Sequence, residues 1–336
     1  MPPKHDSNEI MAHMSGLGSE DWLGPSRNWW PNFLFRSDHV ENTADILNRG
    51  ELLSRAAAED GSLIKKDSGS PGHIAQLDRK HRRLVRLYFR PRTPTQYSNE
   101  GFRPDGKIIY EAHMPVPVYL LFNSSLLSEQ GVSFSRGRLA IDSRVGTSAA
   151  FLAGMNFRDI YHVGSVGRRG ISVRRPEILN ARHSEVLVQD RLSLDCLRLI
   201  VCRSGPERET LLNLLKPEVR DSWERKIVED DGRRQLFHRF GTFISEAHLS
   251  ENGSSFTFHV PPDPGWRRPF HLEITWYGTS ANYNYSDEEF AVLDTPLALR
   301  FPNEAIQPGY NVKLHLNGDL AYVGEFTSED PLLDPF

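Results

Sequence analysis

Residues Arg182-His183-Ser184-Glu185-Val186-Leu187-Val188 run from a polar stretch straight into an apolar strand, with a carboxylate where burial begins. A carboxylate entering a sheet costs several kcal/mol unless a partner or a task offsets it. Glutamate is also a poor strand former. Any fold built on this strand must therefore bring a compensating group to Glu185, and that requirement narrows the choice of fold more than any other segment.

The chain has 336 residues, enough for two ordinary domains. No run of about 18 apolar residues occurs, so no membrane span and no membrane partner are expected. The segment MPPKHDSNEIMAHMSGLGSEDW has no apolar core of the secretory type, and its low hydrophobicity predicts a mobile leader over residues 1–24. The two cysteines, Cys196 and Cys202, share one short apolar segment and build neither a disulfide framework nor a zinc ribbon. They read as reduced core residues of a cytoplasmic protein. Histidines are scattered without ligand spacing, so no metal is expected. The net charge of −4 hides a split: residues 1–204 carry 28 Lys+Arg against 22 Asp+Glu, and the remainder 12 against 22. The basic part is the one suited to nucleic acid.

Phe33-Leu34-Phe35 opens a first strand, and a short helix over Asn42–Arg49 stops at Gly50. Residues 56–76 are polar and Gly/Ser-rich and predict a mobile loop. Val116–Phe122 is a buried strand with its proline at the start, and Val132–Ser135 a short one. After Gly205 a polar helix leads into period-two strands, Ser255–Val260 and Phe270–Trp276. Asn317-Gly318 between Val312–Leu316 and Leu320–Val323 predicts a hairpin. Long loops there favour an antiparallel sandwich over a closed barrel.

Five segments in order resemble the DarT-like ADP-ribosyltransferases, toxins that modify single-stranded DNA. They are Phe35-Arg36-Ser37-Asp38-His39 with the helix ending at Gly50, Tyr88-Phe89-Arg90-Pro91-Arg92-Thr93-Pro94, Val116-Pro117-Val118 with its apolar strand, Phe134-Ser135-Arg136-Gly137, and Arg182-His183-Ser184-Glu185. Two positions depart: Arg36 stands where the family has His, and Asp38 where it has Thr. Arg at the first position is similar to the Arg-Ser-Glu branch of the wider superfamily. The resemblance implies an α+β, ADP-ribosyltransferase fold of two crossed β-sheets with peripheral helices over residues 25–205. Residues 206–336 then form a C-terminal helix plus β-rich domain of unknown role.

By that resemblance NAD+ is a substrate and the acceptor a base of single-stranded DNA, with RNA as the alternative. A macrodomain antitoxin is the implied partner. Glu185 becomes the catalytic carboxylate, facing the oxocarbenium-like ribose as nicotinamide departs. Arg92 becomes the second catalytic residue, stabilising negative charge on the base, since guanidinium keeps its proton. The plain alternative for Arg92 is a loop arginine pinning carbonyls. Arg36, Asp38, His39, Tyr88 and Phe89 become the NAD+-binding set, Arg36 through its phosphate-matching fork. Tyr97 is the weakest stacking candidate. Arg158, Arg168, Arg169, Arg174, Arg175 and Arg182 precede Glu185 and suit a phosphate backbone, with Phe157 and Tyr161 as rings for an unpaired base. Rival readings are an RNA 2′-phosphotransferase of the same fold and a non-enzymatic single-stranded nucleic-acid binder.

Overall fold

A computed structural model describes residues 2–139, 144–164, 166, 175–278, 281–301 and 309–327. Its principal sheet has eight strands: β1 (Phe33–His39), β2 (Leu84–Tyr88), β3 (Pro117–Asn123), β4 (Val132–Ser135), β5 (Val145–Gly146), β6 (Glu185–Gln189), β7 (Leu197–Cys202) and β8 (Ile227–Glu229). They lie in the order β8-β7-β3-β1-β2-β6-β4-β5, and only β8 runs parallel to its neighbour. All of Pro117 to Phe122 is buried, which is why that strand reads as a continuous apolar run.

The sheet is nearly two. β1 pairs with β3 over seven residues, from Phe33↔Asn123 to His39↔Pro117, but with β2 only at Phe35↔Tyr88. Beyond that pair β1 and β2 part, and the rims of the opening carry the polar residues of both strands. Helix α2 (Val40–Arg49) follows β1 and ends at Gly50, whose φ of 81° is the left-handed conformation expected of that glycine.

The expected leader is instead structured. Residues Ser7–Leu17 form helix α1, whose Ile10, Met14 and Leu17 are buried. Spacings of four and three put those side chains on one stripe, and scattered apolar residues hide such a stripe from a mean-hydropathy reading. Asp6 Oδ2 accepts a hydrogen bond from Ala149 N at 2.5 Å, anchoring the segment. The loop expected over residues 56–76 likewise holds short helices, Arg55–Asp60 and Pro71–Ala75, and folds back over the opening beside β1.

The boundary drawn at residue 205 fails too, because β8 lies beyond it. Helix α3 (Pro94–Asn99) follows β2, and α4 (Gly205–Leu214) is capped by Ser204 Oγ. α4 joins the two parts of the chain: Asn48 Nδ2 donates to Leu214 O at 3.4 Å on one side, and Val323 N donates to Thr210 Oγ1 at 3.0 Å on the other. The C-terminal part contains one sheet of Ile244–Ser250, Gly253–Phe258 and Leu297–Arg300, and another of Phe270–Gly278, Asn282–Phe290, Gly309–Leu316 and Asp319–Thr327. They face each other through Phe256 on Tyr322 (5.6 Å) and Trp276 Nε1 donating to Ser254 Oγ (3.1 Å). Asn317 and Gly318, with φ of 50° and 76°, make the hairpin turn expected of that pair.

Candidate active site

Strand β6 delivers Glu185 opposite Tyr88 of β2, so register alone places the carboxylate beside a tyrosine. Period two then puts Arg86 on the same face of β2. Arg86 Nη1 lies 3.4 Å from Glu185 Oε1. Glu185 is 2% exposed, and among the described residues its Oε2 has no hydrogen-bond partner. Burial raises its pKa, against the lowering pull of Arg86 and Tyr88. Burial and the nearby Glu185 carboxylate push the Tyr88 phenol up to about 12. The main chain is fixed from below: Glu185 N donates to Ser135 Oγ at 3.1 Å, and that hydroxyl donates to Gly137 O at 2.7 Å. Ser135 was legible only as part of a motif, and its service to Glu185 was not.

A cavity of about 290 Å³ occupies the opening between β1 and β2. Arg36, Ser37 and Asp38 line it from β1, Arg86 and Tyr88 from β2, and Lys66 to Gly69 from the folded-back loop. Glu185 is not on its wall; Arg86 and Tyr88, which stand beside its side chain, are. Arg36 Nη2 donates to Asp38 Oδ2 at 2.7 Å, and its Nη1 to Arg86 O at 3.4 Å. Burial works against the Arg36 charge, but Asp38 outweighs it and the pKa is raised. Asp38 Oδ1 accepts from His39 N (3.0 Å) and Asn42 Nδ2 (2.9 Å). Asn42 Oδ1 then accepts from Lys65 N (2.9 Å) and Lys66 N (3.1 Å), stapling the loop to α2. Nothing in the sequence marked Asn42, because its partner segment lies 23 residues away.

Two members of the expected NAD+ set fall outside this cavity. Phe89 is wholly buried and packs edge-on to Phe157 at 5.4 Å, so it offers no face to a ligand. His39 is also wholly buried, 3.5 Å from Glu41, with burial lowering its pKa to about 4. Apolar neighbours in sequence could not tell a ring bound for the core from one lining a cleft.

Arg92 sits elsewhere. Its φ of 54° is unusual for a side chain of this size, a conformation costing about 1–3 kcal/mol. The strain is held by Arg92 N donating to Gln96 Oε1 (2.9 Å) and Tyr119 Oη (3.1 Å). The guanidinium donates through Nε (3.0 Å) and Nη2 (2.5 Å) to Phe237 O. Burial lowers its pKa. Glu185 answers to Arg86, Tyr88 and Ser135, and Arg92 to Gln96, Tyr119 and Phe237, so the two catalytic candidates have separate surroundings.

Of the basic cluster, Arg158 is exposed and stands 5.9 Å over the Trp22 ring, and Arg175 is exposed at the start of a short helix. Arg182 is half-buried and donates to Gly164 O at 2.8 Å and to His162 Nδ1 at 2.6 Å. Arg168, Arg169 and Arg174 lie outside the described residues. Phe157 and Tyr161 are core residues, 4% and 0% exposed, and cannot receive a base.

A family model described as ssDNA thymidine ADP-ribosyltransferase, DarT, matches residues 35–230, more than half of the chain. The protein is an NAD+-dependent ADP-ribosyltransferase that acts on single-stranded DNA. It belongs to the DarT family. A search of curated proteins found no match. Among solved structures, the chain is similar to Thermus sp. 2.9 DarT in complex with carba-NAD+, at 18% identity and a TM-score of 0.47, covering 62% of this chain and 98% of that one. The same Thermus protein in complex with ADP-ribosylated ssDNA matches at 15% identity and a TM-score of 0.45, covering 62% and 97%. Thermosipho africanus DarTG in complex with ADP-ribose matches at 17% identity and a TM-score of 0.44, covering 66% of this chain and 55% of that one. Among the described residues no helix is long and apolar enough to cross a membrane.

Proposed function

We propose that Glu185 is the residue that faces the ribose of NAD+ as the nicotinamide bond breaks, with the β1–β2 opening as the NAD+ site and thymine as the base modified. The observation that carries this reading is the buried carboxylate, one oxygen of which has no hydrogen-bond partner among the described residues, placed beside Arg86 and Tyr88 of the cavity wall. A fixed carboxylate stabilises a developing positive charge more than the neutral ground state, and low polarity around it strengthens the effect. Arg36 fits a pyrophosphate through its planar fork, and Asp38 holds that fork in plane. The Arg36–Asp38 pair thus does the work of the family's His and Thr. Thymine follows from the family description, and duplex DNA is a poor acceptor because its base edges are already paired.

Arg92 acts on the acceptor side, stabilising negative charge on the base, which requires it to release or share its contact with Phe237 O. Arg158, Arg175 and Arg182 meet the DNA backbone. The chemistry as drawn uses no metal. A cytoplasmic enzyme that attaches ADP-ribose to DNA bases calls for a counterpart that removes the ADP-ribose, and a macrodomain protein is the proposed partner.

The test is incubation of the full chain with NAD+ and mixed-sequence oligonucleotides of single-stranded DNA, duplex DNA and RNA, read by mass spectrometry with fragmentation. One added ADP-ribose on thymine of the single strand, absent with Glu185→Gln, is the expected result. Modification of another base, or transfer to RNA alone, overturns the acceptor assignment. Full activity in Glu185→Gln overturns the catalytic one.

A further inference from the structure

The chain beyond the family match returns to the face that carries Arg92. Residues 236–240 are fastened along α3: Gln96 Nε2 donates to Leu236 O at 2.9 Å, while His238 N and Arg239 N donate to the buried Glu100 carboxylate at 2.9 and 2.8 Å. This fastening presents three rings together. Tyr97 of α3 is 53% exposed. Its ring meets His238 edge-on at 5.4 Å and Phe240 at 5.3 Å. His238 and Phe240 stack at 5.5 Å with planes 19° apart, both half-buried. Among the described residues His238 Nε2 has no hydrogen-bond partner.

The setting of this cluster is cationic. Burial first, and then the charges of Arg92, Arg90, Arg182 and Arg103, lower the His238 pKa to about 3, so the ring is neutral at physiological pH. Arg90 donates to Ile160 O and His162 O, Arg103 to Ser98 O and Tyr97 O, and Arg92 to Phe237 O. Carbonyls satisfy donors without cancelling charge. Among the described residues none of the four is ion-paired to a carboxylate. Glu100 and Asp230 attract Arg92, and Glu100 attracts Arg103, but neither carboxylate forms a direct ion pair with these arginines, and the rings stay in a cationic setting.

We propose that Tyr97, His238 and Phe240 form a stacking platform for an unpaired base neighbouring the one that receives ADP-ribose, with the arginines drawing the phosphate backbone across it. The proposal rests on the single-stranded DNA acceptor reading and adds a subsite to it. Every base has a π-face, so exposed rings take any of them, and positive potential holds the strand in place. Arg92 and Arg182, half-buried, lie within reach of phosphate; Arg90 and Arg103, buried, contribute field. The C-terminal part, acidic as a whole, thereby contributes one basic, aromatic segment to the DNA face.

The experiment uses the full chain, NAD+ and single-thymidine oligonucleotides in which an abasic nucleotide is moved along each side of the thymidine. Tyr97→Ala raises the KM for oligonucleotide about tenfold, the scale of one lost base stack, and leaves the KM for NAD+ in place. Tyr97→Trp restores it. In the wild-type chain one flanking abasic position costs the same tenfold, and in Tyr97→Ala that position costs nothing further. Phe240→Leu, which keeps apolar bulk and removes the ring, repeats the pattern. An unchanged oligonucleotide KM in Tyr97→Ala, or equal abasic penalties in variant and wild type, overturns the platform while leaving the acceptor reading intact. A wild-type chain that leaves every oligonucleotide unmodified overturns the acceptor reading and the platform with it.

Discussion

Glu185 and Arg92 are the two charged groups on which the proposed chemistry turns, and the chain holds them by opposite means. Glu185 is fixed by a sheet: its register against Tyr88, its N–H on Ser135 and its burial are settled within strands. Among the described residues one of its oxygens has no hydrogen-bond partner. Arg92 is fixed by a strained loop and by Phe237 O from a segment beyond the family match, and its Nε and Nη2 are already in use. One group is poised and costly to the fold. The other supports the fold and, in the proposed mechanism, is released for work. Side chains of the first kind lose activity without stability when replaced, and those of the second kind lose both.

The largest expected effect tests this contrast directly. Glu185→Gln lowers transfer to single-stranded DNA by on the order of 10³-fold, while thermal melting is unchanged or slightly higher, because a buried charge has gone. A melting temperature several degrees lower in this variant breaks the comparison. Arg92→Ala lowers transfer by about 10²-fold and also destabilises by about 2 kcal/mol, the worth of a hydrogen bond from a charged donor. Melting then falls by a few degrees for a chain of this size. Equal melting of Arg92→Ala and wild type shows the Phe237 contact to be dispensable.

Arg36→Ala raises the KM for NAD+ about tenfold with kcat nearly intact, as expected of a phosphate fork outside the bond-breaking step. A fall in kcat without a change in KM moves Arg36 to the reacting centre. The smallest effect is in the pH profile. Burial raises the Glu185 pKa, so the acid limb of kcat/KM lies above the ordinary glutamate value, and Arg86→Met, which removes a lowering charge, moves it higher. The linked stability has a defined sign. A carboxylate with a raised folded-state pKa contributes its stability below its unfolded pKa, and that contribution is lost as pH rises through the folded value. Glu185→Gln therefore flattens the decline in stability above the unfolded glutamate pKa, measurable by melting against pH.

Motifs that depend on neighbours in sequence were legible without the structure. The strand at Glu185, the helix ending at Gly50 and the Asn317-Gly318 hairpin follow from local rules, since a strand, a glycine cap and a tight turn each set their own conformation. Segments with sparse apolar residues were misjudged. Helix α1 and the loop over the β1–β2 opening are ordered by partners far along the chain, among them Ala149 for Asp6 and Asn42 for Lys65 and Lys66. Ring side chains were the other weak point, because Phe89, Phe157 and Tyr161 went to the core and Tyr97 to the surface. Tyr161 and Tyr97 are the same residue type, and only packing sends one to the core and the other to the surface.

The sequence by itself determined that a carboxylate must enter the sheet, that an arginine must follow the Pro91 bend, and that basic and acidic halves differ in charge. Those facts lie in residue type and spacing, which the chain carries unfolded. The tertiary structure alone decided that β1 and β2 meet at a single residue pair and part to leave a cavity. It also decided that Arg92 answers to a carbonyl 145 residues away. Register, burial and long-range hydrogen bonds exist only once distant segments are closed onto one another, and no local pattern encodes which ones meet.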